Sequence, residues 1–118
     1  MGFTQLASGD NGIIYGVHND GRLLFYKDES LDGSNAANGS TGWSANTGQQ
    51  IGQHFEGARL LTGSGDGTLY MVHVDGRLLF YKDEFRDGSN AANGSTGWSA
   101  NTGQQIGQHF EGARLLTG

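Results

Sequence analysis

The feature that most constrains this chain is an internal duplication. The segment Asp32–Gly63 returns letter for letter as Asp87–Gly118, at an offset of 55 residues. The match extends backwards, so that Gly9–Gly63 and Ser64–Gly118 differ at nine of 55 positions. A repeat period above about 40 residues is typical of propellers and other arrays, in which one supersecondary unit stacks on the next. The chain is therefore read as two copies of one structural unit.

The duplication also defines the expected domain organisation. Residues 9–63 form the first repeat, and residues 64–118 form the second. Residues 1–8 are expected to be an inner strand equivalent to residues 56–63. The second repeat is expected to end in a further, redundant inner strand, so that the chain starts and stops at the same point of the cycle.

Each repeat carries four short segments with the apolar patterning of β-strands, and none with helical periodicity. In the third segment Leu23 and Phe25 alternate with Leu24 and Tyr26, which predicts a strand covered on both faces. The polar, glycine-rich segment Asp32–Gly42 is expected to be a loop. The predicted strands are Phe3–Ser8, Ile13–His18, Arg22–Asp28, Trp43–Gly52, Ala58–Thr62, Thr68–His73, Arg77–Asp83, Trp98–Gly107 and Ala113–Thr117.

Four short antiparallel strands per repeat, the last of them polar, are the pattern of a propeller blade. The sequence therefore predicts an all-β protein, a β-propeller of four-stranded antiparallel blades with two blades per chain. Two blades cannot close a ring, and an open pair would leave apolar faces and strand edges in water. The ring is expected to close by homo-oligomerisation, which covers every blade face with one repeated interface.

Charge and composition narrow the range of partners. The net charge is −5 and no run of basic residues occurs, which argues against nucleic acid, because phosphate contacts need clustered Lys and Arg. The longest apolar runs are four residues, far below the roughly 20 that a membrane-spanning helix needs. His18 and His73 lack the three or four convergent ligands of a metal site. No catalytic residue, metal, cofactor or membrane insertion is expected, and the sequence leaves the localisation open.

An ordered set of glycine, aromatic and aliphatic residues recurs in both repeats. Its members are Gly12, Tyr15, Val17, Asp20, Gly21, Tyr26, Trp43, Ile51 and Gly52, and then Gly67, Tyr70, Val72, Asp75, Gly76, Tyr81, Trp98, Ile106 and Gly107. This order resembles the tachylectin-2-like lectin propellers over nearly the whole chain. The resemblance implies a propeller that binds N-acetylated sugars in sites repeated from blade to blade. The chain differs from the usual pattern at His54-Phe55, where Gly-Trp is usual, and at Ala58, where a Phe usually opens the inner strand.

The segment from the loop to the end of each repeat is the candidate sugar-binding region. Sugar recognition needs an aromatic face for the apolar side of a pyranose, with amides and carboxylates fixed around its hydroxyls. In the alternative interpretation, the Trp residues pack between blades and the Asn residues serve turns. The candidate sugar-binding residues are Asp32, Asn35, Asn38, Trp43, His54, Phe55, Asp87, Asn90, Asn93, Trp98, His109 and Phe110, with Asn46 and Asn101 as further amides.

Two functions remain open at this point. The first is a carbohydrate-binding module, a lectin with multivalent weak sites for N-acetylated hexosamines such as N-acetylglucosamine and N-acetylgalactosamine, one per blade. The second is a designed or reconstructed repeat scaffold for folding and assembly with no retained ligand, which the near-identity of the repeats suggests. Identical repeats argue against an enzyme, since a catalytic site usually needs unlike groups that converge from unlike places.

The chain itself is the other expected partner. Three chains would close a six-bladed ring, which is the arrangement we expect. Five chains that share two five-bladed rings are the alternative, given the five blades that the resemblance implies. In either arrangement one of the two equivalent terminal strands is expected to be displaced in each subunit.

Overall fold

A computed structural model describes residues 2–113 as eight β-strands in two antiparallel sheets. Within this range there is no helix. The strands are β1 (Phe3–Ser8), β2 (Ile13–His18), β3 (Leu23–Lys27), β4 (Gln49–Gly52), β5 (Ala58–Gly65), β6 (Thr68–His73), β7 (Leu78–Lys82) and β8 (Gln104–Gly107). The ninth strand predicted at Ala113–Thr117 lies outside the described residues, except for Ala113, which is in no strand.

Each sheet is a simple meander in chain order. The first sheet runs β1-β2-β3-β4 and the second runs β5-β6-β7-β8, with every neighbouring pair antiparallel. The predicted all-β architecture of two four-stranded antiparallel units is therefore confirmed. Closure of such units into a ring stays a prediction.

The tight turns between strands depend on residues that accept positive φ. At the β1–β2 turn Asn11 has φ 57° and Gly12 has φ 83°, the pair of left-handed conformations that a two-residue hairpin turn favours. A side chain at Gly12 would also collide with the backbone carbonyl of Asp28, whose N–H donates to the Gly12 carbonyl at 2.9 Å. Glycine at this position is thus fixed both by backbone conformation and by the close approach of a neighbouring strand.

The fourth strand of each sheet is shorter than predicted. The predicted strands over Trp43–Gly52 and Trp98–Gly107 end where expected, but their predicted starts are wrong. Each Trp makes one isolated bridge, to Asp28 or Asp83, and a turn follows before the strand begins. In the first repeat the Thr47 side chain accepts the Lys27 backbone N–H at 3.0 Å. A side chain thus takes the place of a ladder partner, and the strand pairing is interrupted.

The two sheets pack face to face in one order. The front face of a sheet is the face that holds the first Tyr of its repeat, and the back face is the opposite one. From the front of the first sheet, the core contains Tyr15, Val17, Leu23, Phe25 and Ile51. From the back of the second sheet, it contains Leu61, Leu69, Met71 and Leu79. Tyr81 and Trp98 are partly buried against these residues. Among residues 2–113 no other sheet covers the back of the first sheet or the front of the second, and these two are called the open faces.

Because each sheet packs against the other through one face only, part of the predicted core is not buried. Leu23, Phe25 and Leu61 are buried as expected, whereas Leu60, Leu78 and Phe80 are only half-buried. Leu78 and Phe80 lie on the open front of the second sheet, where no neighbouring sheet covers them within the described chain. The predicted core positions Leu115 and Leu116 lie outside the described residues.

A buried hydrogen-bond network joins the two sheets. The Tyr15 hydroxyl donates to Asp83 Oδ2 at 2.8 Å, while Asp83 Oδ1 accepts the Asn90 side-chain amide at 2.9 Å and the Arg86 backbone N–H at 2.8 Å. Burial of the phenol, followed by the charge of Asp83 and its hydrogen bond, raises the pKa of Tyr15 far above its ordinary value. The buried carboxylate is thus satisfied by three donors.

Phe25→Ala should destabilise the chain by about 3–5 kcal/mol, because it removes a fully buried aromatic ring from the contact between the sheets. Chemical denaturation measures this loss. Val74→Ala is the control, since Val74 is exposed, and it should change the free energy of unfolding by about 0.5 kcal/mol or less. A loss below about 1 kcal/mol for Phe25→Ala would contradict the described packing.

The Tyr15 hydroxyl should make stability fall in alkaline solution. In the unfolded chain the phenol ionises near its ordinary pKa of 10.0, whereas the buried phenol stays protonated, so the folded state binds the extra proton. The free energy of unfolding should therefore drop above about pH 10, by up to about 1.4 kcal/mol per pH unit from this group. Tyr15→Phe lacks the group, and the stability difference between wild type and Tyr15→Phe should narrow as the pH rises. A difference that stays constant would show that Tyr15 titrates normally.

Candidate functional site

An aromatic-lined pocket lies at the junction of the two sheets. It has a volume of about 180 Å³ and is open to solvent on one side. This is smaller than the roughly 300–1,000 Å³ of pockets that hold drug-sized ligands, so it suits a ligand of about one sugar ring. The first sheet contributes Gly52, Gln53, His54 and Phe55, and the second repeat contributes Tyr81, Ala92, Asn93, Gly94, Trp98 and Thr102.

Three aromatic rings form the apolar part of this pocket. The Phe55 and Tyr81 rings lie 4.9 Å apart between centroids, at an angle of 42°. Trp98 is fixed by its indole N–H, which donates to the Ile51 carbonyl of the first sheet at 3.0 Å. Desolvation by burial raises the pKa of Tyr81 above its ordinary value. Its hydroxyl, like any phenol at neutral pH, is a neutral hydrogen-bond donor or acceptor. The rings offer a rigid apolar surface with one phenolic hydroxyl.

The polar groups of the pocket come from its rim. Asn93 is exposed, and its Oδ1 accepts the Ser95 backbone N–H at 3.0 Å, which holds the side chain in an Asx turn. The Asn93 amide nitrogen has no hydrogen-bond acceptor among the described residues. His54, which also lines the pocket, is exposed. The pocket can therefore offer amide and imidazole groups to a ligand that rests on the aromatic rings.

His54 has a left-handed backbone conformation, with φ 65°, and its equivalent His109 has φ 67°. Glycine reaches this conformation without strain, whereas other residues usually do not. This explains physically why glycine suits the position in the resembled pattern. It also means that the chain holds a strained histidine at the edge of its pocket.

Four of the twelve predicted site residues meet in this pocket. They are His54 and Phe55 from the first repeat and Asn93 and Trp98 from the second. The prediction grouped the candidate residues within each repeat, whereas this pocket takes its residues from both repeats. The described architecture places the end of one repeat beside the loop of the next.

Asn35 and Asn90 have structural contacts away from the pocket. Each side-chain amide donates to a carboxylate, Asp28 or Asp83, at 2.9 Å, and to the backbone carbonyl of Gly42 or Gly97. They hold the long loop against the end of the third strand. This agrees with the alternative interpretation that such residues serve turns, and it separates both residues from the pocket.

Asp32 and Asp87 also act within the loop. Each carboxylate accepts the hydroxyl of the serine two residues later at 2.6 Å and its backbone N–H at 2.9–3.0 Å. These hydrogen bonds, the side-chain one first, lower the pKa of both aspartates. Asp87 additionally offers its backbone carbonyl to Asn46 of the first repeat, at 2.7 Å. Neither carboxylate lines the pocket.

The remaining four predicted residues lie at the two open faces. Trp43 and Asn38 line a second depression of about 280 Å³ on the first repeat, whereas His109 is exposed and Phe110 half-buried at the far side of the second repeat. The depression is lined by Tyr26, Ala37, Asn38, Gly39, Trp43 and Thr47. These are the equivalents, 55 residues earlier, of the six residues that the second repeat gives to the pocket.

The sequence interpretation did not select Tyr81, Thr102 or Gln53. Tyr81 shares the back face of its strand with Leu79 and Asp83, so strand alternation could have placed it beside the Trp of its repeat. No sequence signal marks Gln53, which reaches the pocket only through the packing of the two sheets.

Within residues 2–113 no group of three or more His, Asp or Glu side chains is arranged to hold a metal ion. The same range contains no helix that is long and apolar enough to cross a membrane.

These features define an all-β repeat protein with a small, aromatic-lined pocket between adjacent sheets. The model of the Tachylectin family matches residues 1–111, and the chain belongs to this family. It is a family of lectins, proteins that bind carbohydrate, and not a family of enzymes. No curated protein and no solved structure matches the chain.

His54→Gly should leave the chain as stable as the wild type or make it more stable by up to about 1 kcal/mol. The left-handed backbone costs a residue with a side chain roughly 1–2 kcal/mol, while glycine loses about 0.5–1 kcal/mol through its greater freedom in the unfolded state. Thermal and chemical denaturation measure the change. His18→Gly, within strand β2, is the control and should be destabilising. A loss above about 1 kcal/mol in His54→Gly would contradict the strained conformation.

Proposed function

We propose that the chain is a multivalent lectin that binds N-acetylated hexosamines, such as N-acetylglucosamine and N-acetylgalactosamine, in pockets between adjacent sheets. The observation that carries the proposal is the pocket of Phe55, Tyr81 and Trp98 with Asn93 and His54 at its rim, in a chain of a lectin family. The proposal includes one such pocket for each pair of neighbouring blades.

The chemistry of the pocket supports an acetamido sugar. The apolar face of a pyranose and the acetamido methyl group both gain from contact with aromatic rings, which stay rigid because Trp98 is hydrogen-bonded to Ile51. The Asn93 amide and the Tyr81 hydroxyl can then hydrogen-bond the acetamido group and ring hydroxyls. N-acetylglucosamine and N-acetylgalactosamine are uncharged, and the residues that line the pocket include no Asp, Glu, Lys or Arg, which suits a neutral ligand.

Ring closure is part of the same proposal. The sheets are blades of a propeller, and homo-oligomers of the chain close the ring, with three chains expected and five as the alternative. Weak sites repeated around a ring bind a glycan surface with high avidity, because the second contact is intramolecular once the first has formed. This gain in avidity is a physical reason for a lectin to carry near-identical repeats.

Titration calorimetry with N-acetylglucosamine, N-acetylgalactosamine and their unacetylated parent sugars tests the proposal. The acetylated sugars should bind saturably and the parent sugars more weakly. The double variant Asn38→Ala with Asn93→Ala, which changes both equivalent positions, should weaken binding up to about tenfold, since a lost hydrogen bond costs roughly 0.5–1.5 kcal/mol and 1.4 kcal/mol corresponds to a factor of ten. The double variant Trp43→Ala with Trp98→Ala should abolish binding.

Val74→Ala is the control for these variants, because Val74 is exposed and lines none of the described pockets. It should bind as the wild type does. Absence of heat at millimolar concentrations of all four sugars would contradict the lectin proposal and support the scaffold without a ligand.

A further inference from the structure

Two exposed Asn-Gly pairs lie in the long loops. They are Asn38-Gly39 in the first repeat and Asn93-Gly94 in the second, and the sequence around them is identical. All four residues are exposed to solvent. Asn93 and Gly94 also line the aromatic pocket between the sheets. A chemical change at Asn93 therefore alters the pocket itself.

The side chain of each asparagine is held close to the backbone that follows it. Asn93 Oδ1 accepts the Ser95 backbone N–H at 3.0 Å, and Asn38 Oδ1 accepts the Ser40 backbone N–H at the same distance of 3.0 Å. Such an Asx turn closes a ring of atoms that contains both Asn93 Cγ and the backbone nitrogen of Gly94. The side-chain carbonyl carbon and the next backbone nitrogen are therefore kept near each other.

The glycine of each pair has room to move. Gly94 has φ 85° and Gly39 has φ 87°, and a side chain built on either would meet no atom within 4 Å. The Gly94 N–H donates to the Ala91 carbonyl at 3.0 Å, a hydrogen bond that has to open before the nitrogen can react. It closes a single turn of a surface loop, where local opening costs little free energy.

The asparagines next to them in the loops are protected. The Asn35 and Asn90 amides each donate to an aspartate carboxylate at 2.9 Å and to a backbone carbonyl. Both are followed by alanine, whose methyl group crowds the backbone nitrogen that glycine leaves free. These two asparagines provide an internal comparison within the same loops.

A third Asn-Gly pair, Asn11-Gly12, is fixed by the fold. Its Asn is exposed, but the Gly12 carbonyl accepts the Asp28 backbone N–H at 2.9 Å, and a side chain on Gly12 would collide with the Asp28 carbonyl. The peptide between Asn11 and Gly12 cannot turn without breaking these contacts with the neighbouring strand. The three pairs thus share the same two residues and differ in how the fold holds the glycine.

We propose that Asn38-Gly39 and Asn93-Gly94 are sites of spontaneous deamidation. The Gly94 nitrogen attacks Asn93 Cγ, so that the N–Cγ bond forms, the Cγ–Nδ2 bond breaks, and the Gly94 amide proton leaves with Nδ2 as ammonia. Water then opens the resulting succinimide. Opening at Cγ gives aspartate, and opening at the backbone carbonyl carbon of Asn93 gives isoaspartate. Water is the only co-reactant, and no atom is oxidised or reduced.

Deamidation at Asn93 changes the pocket in two ways. A carboxylate replaces the amide, so the rim loses a hydrogen-bond donor and gains a negative charge among lining residues that include no Asp, Glu, Lys or Arg. Isoaspartate also adds a methylene group to the main chain, which disrupts the Asx turn. Weaker binding of a neutral acetamido sugar follows. This consequence rests on the proposed function, whereas the deamidation does not.

Peptide mass spectrometry of the full chain, aged in mildly alkaline buffer, tests the modification. Cleavage after Lys and Arg places Asn11, Asn38 and Asn93 in three different peptides, and each deamidation adds one mass unit at a residue that fragmentation locates. Ageing in water enriched in heavy oxygen labels the new carboxylates and excludes events during digestion. In the folded chain Asn38 and Asn93 should react several-fold faster than Asn11, while Asn35 and Asn90 stay unchanged.

Two controls separate the effect of the fold from that of the dipeptide. In a chain aged in urea the three Asn-Gly pairs should react at similar rates, because no tertiary contact then holds Gly12. Asn93→Gln keeps the amide but has to close a larger ring, so this position should stop reacting while Asn38 reacts as before. Asn38 and Asn93 that stay unmodified in the folded chain, or an Asn11 that reacts as fast as they do, would overturn the proposal.

N-acetylglucosamine separates the modification from the lectin proposal. A saturating concentration should slow the reaction at Asn93 and leave that at Asn11 unchanged, because only Asn93 lines the pocket. The aged chain should bind the sugar more weakly in calorimetry, by up to about tenfold, the effect of one lost hydrogen bond. Deamidation at the expected positions in a chain that never binds sugar would contradict the lectin proposal alone. Sugar binding by a chain that stays unmodified would overturn the modification alone.

Discussion

The packing of one sheet's front face on the next sheet's back face is the interaction on which this structure depends. Every central strand carries apolar residues on both sides, as Leu23 and Leu24 do, so a single four-stranded sheet would leave one apolar face in water whichever way it turned. A repeated sheet covers the apolar face of its neighbour only when the sheets stack front to back, one after the other. The buried Tyr15–Asp83 hydrogen bond then fixes which face meets which, because a buried carboxylate without its donors would be costly.

Strand positions followed from sequence because they depend on local pattern. Six-residue strands such as Ile13–His18 and Thr68–His73 are bounded by turn residues, and alternation assigns their faces correctly. The fourth strand was predicted too long because Thr47 satisfies the neighbouring backbone with its side chain, which no hydrophobic pattern reveals. The sequence also could not predict which sheet faces are covered by a neighbouring sheet. Leu23 and Leu78 have the same local sequence, yet Leu23 is buried and Leu78 is half-buried, because only Leu23 faces the other sheet.

The site was harder to predict for a related reason. The two loops contain four asparagines in similar polar, glycine-rich surroundings. Asn35 and Asn90 donate to an aspartate, whereas Asn38 and Asn93 form exposed Asx turns. An amide side chain suits both roles, and the choice is made by the carboxylate that happens to lie within reach. The pocket also draws residues about 40 positions apart in sequence, from two repeats. Only the packing of the sheets brings them together.

Trp98 connects stability with binding in this architecture. Its indole N–H is used to hold the first sheet, and its ring lines the pocket that this contact creates. In the proposed lectin a sugar in this pocket would touch both sheets, so it would bind the packed state and not the separated one, and binding would stabilise the packing. Under the proposed function, the number of sites in such an array would equal the number of sheet-to-sheet interfaces, not the number of repeats. An array that closes into a ring gains one site more than the same repeats left open.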